Sequence, residues 1–461
     1  MAKKILFIYL TLVVLVQSQE IPNEFFQFQS KKLLYDYGKN WQSITTFGPI
    51  RLNKLVDYVP GDDSLKMDLR FGLTGNSTGK MDGMAFYCFG HLSFQNHFYA
   101  YLYPRIVSNV TSFSRYTGIE RYFGRTGETD IAGIGYESNW MILQWGRGRQ
   151  SWGAGNDIQL AISEDSPAYD YGLLALDFGN LRVRYFHGFL EEENNYNRYI
   201  TGRGIEWSNK KSIVIGLSEF VIYSGINRPL DISYINPIST HLEIEMNQRQ
   251  NVIGTKSGNG VWQASMDWLL KPNLRLSGNI LFDEFTLDSD HMLEEGEGHS
   301  KAFSVRSVWS TGILKSLYTS LFTEYIMVGT HTLRHQSGYN NFVQRGLPLG
   351  WQYGSDVDQY RIGLNIFNNT NQITNISFGS RRVGAETITI DPYASYPFFQ
   401  EVPFPSGIVT ITKFIKGDYE WWWKPNVAFM IGLEYLDSDK DGQTLSFSIG
   451  FDIYYPGFYK L

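Results

Sequence analysis

Leu445-Ser446-Phe447-Ser448-Ile449-Gly450-Phe451-Asp452-Ile453-Tyr454-Tyr455 sorts onto two faces with almost no error. Side chains of a strand alternate, so Leu445, Phe447, Ile449, Phe451, Ile453 and Tyr455 share one face, and Ser446, Ser448, Gly450 and Asp452 share the other. One side is oily; the other is polar or tiny. Working outward, the script recurs. Val427, Phe429, Ile431, Leu433 and Tyr435 oppose Ala428, Met430, Gly432 and Glu434. Tyr360, Ile362, Leu364 and Ile366 oppose Arg361 and Asn365, and Phe303 and Val305 oppose Ser304 and Arg306. Leu274, Leu276, Ile280 and Phe282 oppose Arg275, Ser277, Asn279 and Asp283. Trp262, Ala264, Met266 and Trp268 oppose Gln263, Ser265 and Asp267, and Met67, Leu69, Phe71 and Leu73 oppose Asp68, Arg70 and Gly72. Lys271-Pro272-Asn273 and the stretch Asp437 to Gly442 mark hairpins between such segments.

Any one of these strands fits a half-buried strand of a soluble sandwich. Together they do not. The polar face carries Asp267, Arg306, Glu434 and Asp452, which a dry core tolerates only when paired. Aromatics crowd strand ends, as at Trp421-Trp422-Trp423 and Tyr454-Tyr455, in the manner of an interfacial belt. The pattern runs without a composition break, which indicates one domain over residues 61–461. The reading is an all-β fold: a transmembrane antiparallel β-barrel, greasy toward lipid and hydrophilic within. At roughly 22 to 25 residues per strand and loop, the chain holds about 16 to 18 strands.

The start of the chain agrees. Lys3 and Lys4 precede an apolar run from Ile5 to Val16 and small Ser18, the layout of a signal peptide over residues 1–18. Residues 19–60 then form an N-terminal periplasmic segment, in which Phe25 to Tyr37 has spacings for one helix. No second apolar run reaches the ~20 residues of a membrane helix. The lone Cys88 excludes an internal disulfide framework, and a formal charge of −6 gives no reason to expect nucleic acid. An exported barrel belongs in a Gram-negative outer membrane, with lipid as its surroundings and a monomer as the expected state. No cofactor or metal is expected. Asp437-Ser438-Asp439-Lys440-Asp441-Gly442 begins like a calcium loop, but its twelfth position is Ser448 rather than glutamate. Asp283 and Glu284 are adjacent strand residues on opposite faces and cannot flank one glycosidic bond, so no enzyme is expected.

The middle of the chain carries the candidate site. Trp145-Gly146-Arg147-Gly148-Arg149-Gln150-Ser151-Trp152-Gly153-Ala154-Gly155 is followed by Ser166-Pro167-Ala168-Tyr169-Asp170-Tyr171-Gly172. Next come the strand Leu181 to Leu190 with Arg182, Arg184 and His187, then Arg203-Gly204-Ile205-Glu206-Trp207 and Ile215-Gly216-Leu217-Ser218-Glu219. Asp231-Ile232-Ser233-Tyr234-Ile235-Asn236-Pro237 closes the series. In this order, over roughly Ile131 to Asp283, the motifs resemble the Wzi family of capsule-assembly outer-membrane proteins. The resemblance implies an 18-stranded barrel with a periplasmic helical plug and folded-in loops. It also implies a lectin-like activity toward capsular or other surface polysaccharide, which helps to assemble or attach the capsule. Residues 19–60 are short for a full helical bundle.

The residues themselves allow two readings. Arg147, Arg149, Arg182, Arg184, His187, Arg203 and Glu206 are the polar candidates, and arginines and carboxylates on lumen parity, as at Arg182 and Arg184, would grip hydroxyls and uronates through charge-assisted hydrogen bonds. Trp152, Tyr169 and Tyr171 would offer flat faces to a pyranose. Alternatively, Arg182, Arg184, Arg203, Glu206 and Glu219 form an ion-pair network that braces the wall. Trp145 and Trp207 read as interfacial or structural. If the arginines bind sugar, replacing Arg182 and Arg184 with Ala weakens binding more than stability. The competing function is a porin or diffusion channel for small polar solutes.

Overall fold

In a computed structural model, the structure describes residues 38, 41, 44–48, 65–77, 82–95, 97–113, 116, 118–121, 124–251, 258–283, 300–314, 317–335, 338–368, 371–389 and 403–460. The segment 1–37, with the expected signal peptide over residues 1–18 and the expected helix at Phe25 to Tyr37, lies outside them.

Eighteen antiparallel strands close into a barrel, and Leu65–Ser77 pairs with Gly442–Lys460 to seal it. Closure leaves no free edge, the condition for a sheet to sit in lipid. The alternation read from sequence is the alternation observed. Leu445, Phe447, Ile449, Ile453 and Tyr455 are exposed on the outer face, and Arg275, Ser277, Asn279 and Asp283 are buried on the inner one. Trp145 and Trp207 point outward, as expected. The Trp421–Trp423 run splits by parity: Trp421 and Trp423 face out, while Trp422 turns inward and donates to Glu420.

The two ends differ. One carries the strand start at Leu65 and only tight turns such as 179–180, 272–273 and 425–426. The other carries the long connections 109–124, 149–168, 227–258, 284–299, 329–356 and 384–409. Outer-membrane barrels put short turns in the periplasm and long loops outside, which orients this one.

The interior departs from the all-hydrophilic lumen read from sequence. Phe186, Ile200, Phe220, Ile222, Val261, Leu281 and Ile326 project inward and are buried against Trp152, Ile158, Leu160 and Ile162 of connection 149–168. Leu333, Phe342, Leu349 and Trp351 of connection 329–356 join the same core. Water is excluded because two outer loops fold down into the barrel, so apolar inner residues gain there what outer ones gain in lipid. The loops are held by polar wall residues. Asn279 accepts from the Ala154 N–H at 2.7 Å, Ser304 donates to the Ile158 carbonyl at 2.7 Å, and Gln263 donates to the Trp152 carbonyl at 3.1 Å. Gly155 takes a φ of +77°, where a side chain is strained. A Cβ on Gly350 would lie 1.7 Å from the Leu160 carbonyl oxygen, so only glycine lets the two loops meet.

Candidate functional site

The predicted residues divide among three places. The first is the lower lumen, where a short strand, Phe47–Gly48, pairs with Ser151–Trp152. Here Arg182 donates to the Ile44 carbonyl at 2.8 Å and to Glu206 at 2.5 Å. Glu206 also accepts from the Thr45 and Thr46 hydroxyls and from the Thr46 N–H. Arg184 donates to the Phe47 carbonyl at 2.6 Å. Charge-assisted bonds to backbone carbonyls inside a barrel fix a chain in place. These three residues therefore clamp the N-terminal segment to the wall. No binding face remains at Trp152 either. It is fully buried, its ring 4.7 Å from Phe47, 5.3 Å from Phe186 and 5.4 Å from Phe220. Tyr169 and Tyr171 are buried beside it, and Gln144 donates to the Tyr171 hydroxyl. The expectation that these rings present flat faces to sugar does not survive their packing.

The second place is the outer wall. Arg203 and His187 do not face the lumen, so they do not join the other candidates there. Arg203 shares its face with Ile205 and Trp207, each 45% exposed, and lies on the face opposite to inward-facing Glu206. Glu219 likewise shares a face with exposed Ile215 and Leu217. Arg203 and Glu219 sit opposite each other across the strand pair and bridge at 3.1 Å. His187 lies on this face too, with its ring nitrogens 2.9 Å from the Tyr223 hydroxyl and 3.2 Å from that of Tyr185. An arginine on a lipid-facing wall costs about 2–4 kcal/mol near the bilayer midplane. Here the cost is avoided by pairing and by cover. The outer connection 227–258 turns back down over these rungs. Its Asn236 carbonyl accepts from Arg203 at 3.2 Å, its His241 approaches Glu219 at 2.7 Å, and its Tyr234 stacks on Tyr223 at 4.4 Å.

The third place is the outer mouth, where charges pair at partly exposed positions. Arg147 shares the parity of Trp145, reaches over the rim to Glu128, and lies 3.3 Å from Asp170, whose side chain is 56% exposed. Arg345 bridges to the same Glu128 at 2.8 Å, and its backbone N–H donates to Glu191 at 3.1 Å. Arg198 pairs with Glu191 at 2.7 Å and donates to the Tyr339 carbonyl at 2.6 Å. The half-buried rings of Tyr196 and Tyr339 lie parallel, 3.9 Å apart. Arg149 sits just below, donating to Asp130 at 2.7 Å and to the Ser166 carbonyl at 2.7 Å. Glu128, Arg198, Tyr339 and Arg345 were not singled out from sequence, and Glu191 reads only as part of an acidic run at a strand end. Arg345 and Tyr339 belong to connection 329–356, which is more than 130 residues away in the chain, and no local pattern links the two stretches.

No family model matches this chain, and no curated protein sequence does. Among solved structures it is similar to Wzi of Escherichia coli, described as an outer-membrane protein involved in group 1 capsule assembly and a carbohydrate-binding β-barrel. The TM-score is 0.65 and the identity 13%, over 95% of this chain and 98% of that one. It also aligns with the outer membrane protein OprD of Pseudomonas aeruginosa, at TM-score 0.48 and 9% identity over 86% of this chain and 93% of that one. OccAB1 of Acinetobacter baumannii follows at TM-score 0.47 and 10% identity, over 86% and 97%. The latter two share too little of the path to bear on function. The first establishes the fold: an 18-stranded Gram-negative outer-membrane barrel built like Wzi.

Proposed function

We propose that this barrel is a non-enzymatic surface lectin, which binds capsular or another surface polysaccharide at its outer mouth. The observation that carries the reading is the run of opposite charges at the outer mouth, Asp170–Arg147–Glu128–Arg345, joined through the Arg345 backbone N–H to the Glu191–Arg198 pair and set beside the Tyr196–Tyr339 stack. Guanidinium forks match carboxylates and vicinal hydroxyls, and carboxylates accept from sugar hydroxyls. Two loops packed into the barrel beneath give the ligand a floor rather than a passage. The likeness to a carbohydrate-binding barrel supports the same reading. Arg147 and Arg149 keep their proposed role at or beside the mouth. Arg182, Arg184 and Glu206 act in support, as the clamp beneath.

The test is retention of purified polysaccharide from the producing cell on detergent-solubilised protein. The double variant Arg147→Ala/Arg345→Ala is expected to weaken binding about tenfold or more, the loss of one or two charge-assisted hydrogen bonds. Its melting temperature should stay close to that of the parent. Unchanged binding would remove the mouth from the site, and no binding by the parent would end the lectin reading. A channel is favoured by one feature: Lys416 and Asp418 on the inner wall remain about half exposed. Large, stable currents across a planar bilayer would replace the lectin with that channel.

A further inference from the structure

The outer connection after strand Ile213–Ile226 does not stand up from the barrel. It descends outside it. Two short helices, Ile232–Ile235 and His241–Met246, lie against the wall. Their inner sides are bound tightly. Tyr234 and Ile244 are fully buried, and the Tyr234 hydroxyl donates to Glu245 at 2.8 Å. Asp231 caps the first helix through the Ser233 N–H and pairs with Arg228 at 2.9 Å. A Cβ on Gly260 would lie 2.4 Å from the His241 ring, so the wall is flattened at that rung to seat the loop.

The opposite side of the same segment is apolar and bare. Ile238 is 85% exposed, Met246 81% and Ile232 80%, with Leu230, Ile235 and Leu242 exposed beside them. The nearest charges on this side, Arg249 and Glu243, neutralise each other at 2.6 Å. Such a surface is unusual on a loop meeting water. Its neighbours explain it. The Asn236 carbonyl, two residues before Ile238, accepts from Arg203 on the rung next to that of Ile205 and Leu217, which are themselves exposed on the barrel's lipid-facing belt. The rung of Tyr185 continues sideways through Leu174 to Leu143, another exposed outer residue. The bare apolar face is therefore continuous with the belt, below and to one side.

We propose that residues 227–251 form a membrane-embedded flap, whose apolar face meets acyl chains of the outer leaflet while its inner face, with His241 against Glu219, shields the Arg203–Glu219 ion pair from them. Arg203 and Glu219 would otherwise present charge to hydrocarbon at that rung. The flap gives them partners and gives lipid an oily surface in their place. Ile238, at the bottom of the descent, lies deepest; Met246, on the return, lies higher.

The test uses nitroxide labels on single cysteines, in a Cys88→Ser background reconstituted into phosphatidylcholine vesicles. Collisions with oxygen report lipid, and collisions with a water-soluble nickel chelate report solvent. Ile238→Cys and Met246→Cys replace exposed side chains, so neither is expected to disturb folding. Ile215→Cys marks the belt and Lys440→Cys the outer water. The depth parameter at Ile238→Cys is expected to shift from the negative value of Lys440→Cys to the positive value of Ile215→Cys, with Met246→Cys between. Nickel-dominated collisions at Ile238→Cys would overturn the proposal. Dipolar broadening between labels would overturn it in favour of a second copy of this chain as the occupant.

Discussion

Two sectors of the inner wall obey the same alternation and meet opposite surroundings. From Tyr169–Phe178 round to Leu317–Val328, inward residues are packed under folded-in loops: Phe220, Leu281 and Ile326 are buried, and Arg275 and Asp267 pair at 2.6 Å with side chains 2% and 3% exposed. On Thr410–Lys424, Val427–Ser438 and Gly442–Lys460 the inner face holds a wet patch between buried residues such as Phe414 and Trp422: Lys416 and Asp418 approach only to 3.8 Å and are 49% and 46% exposed. Facing inward therefore does not decide whether a residue is polar. What covers it does.

Removing the largest buried ring should break the contrast most visibly. Trp152→Ala empties the centre of the filled sector and is expected to cost about 3–5 kcal/mol, as deletion of a core aromatic does. Met430→Ala, a truncation on the wet wall, should cost under about 1 kcal/mol, because water already reaches it and no closed cavity forms. Urea unfolding in detergent, followed by far-ultraviolet circular dichroism, measures both. Equal costs would mean that the two sectors are equally packed. Arg275→Ala comes next. It strands Asp267, which also accepts from Ser277 at 2.9 Å and from Gly155, so about 3 kcal/mol should be lost and connection 149–168 loosened.

A smaller effect is expected from acid. His331 lies in connection 329–356, and burial, reinforced by Arg334, pushes its pKa down to about 4. The folded loop holds it neutral, whereas the unfolded one would bind a proton below about 6.5. Stability from this group is thus full above pH 6.5 and drains away as pH falls toward 4. Hydrogen exchange of residues 329–356, corrected for intrinsic rate, should accelerate from pH 7 to pH 4.5, and His331→Gln should abolish the pH dependence. Unaltered exchange in the parent would show that the histidine is not held neutral.

The sequence made the cylinder legible because lipid imposes one rule on every strand, and each strand states it locally. Even the outward turn of Arg203 was there to be read: it stands three residues from Glu206, an odd separation that puts the two on opposite faces. His187 is likewise three from Arg184, and Arg147 is two from lipid-facing Trp145. Chemistry, read before parity, grouped them wrongly. The filled sector was less accessible. Phe186 and Phe220 look like breaks in a polar inner face until one knows that Trp152 descends between them, a contact between distant stretches of chain. The mouth shares that limit, since Arg345 meets Glu128 only after connection 329–356 folds in.

The smallest expected effect is the sharpest probe of the wet wall. Lys416→Ala removes an inward charge from a pair that looks, in sequence, like Arg275 and Asp267: two charged residues on one inner face. Exposed pairs of this kind contribute roughly 0.5 kcal/mol or less, because water solvates both ions and salt screens them. The change in unfolding free energy should therefore fall near zero, and added salt should alter the parent and the variant alike. A loss approaching that of Arg275→Ala would mean that Asp418 is left desolvated, and that this side of the barrel is packed shut as well. The floor proposed beneath the mouth would then extend across the whole lumen, and the channel reading would lose the one feature in its favour.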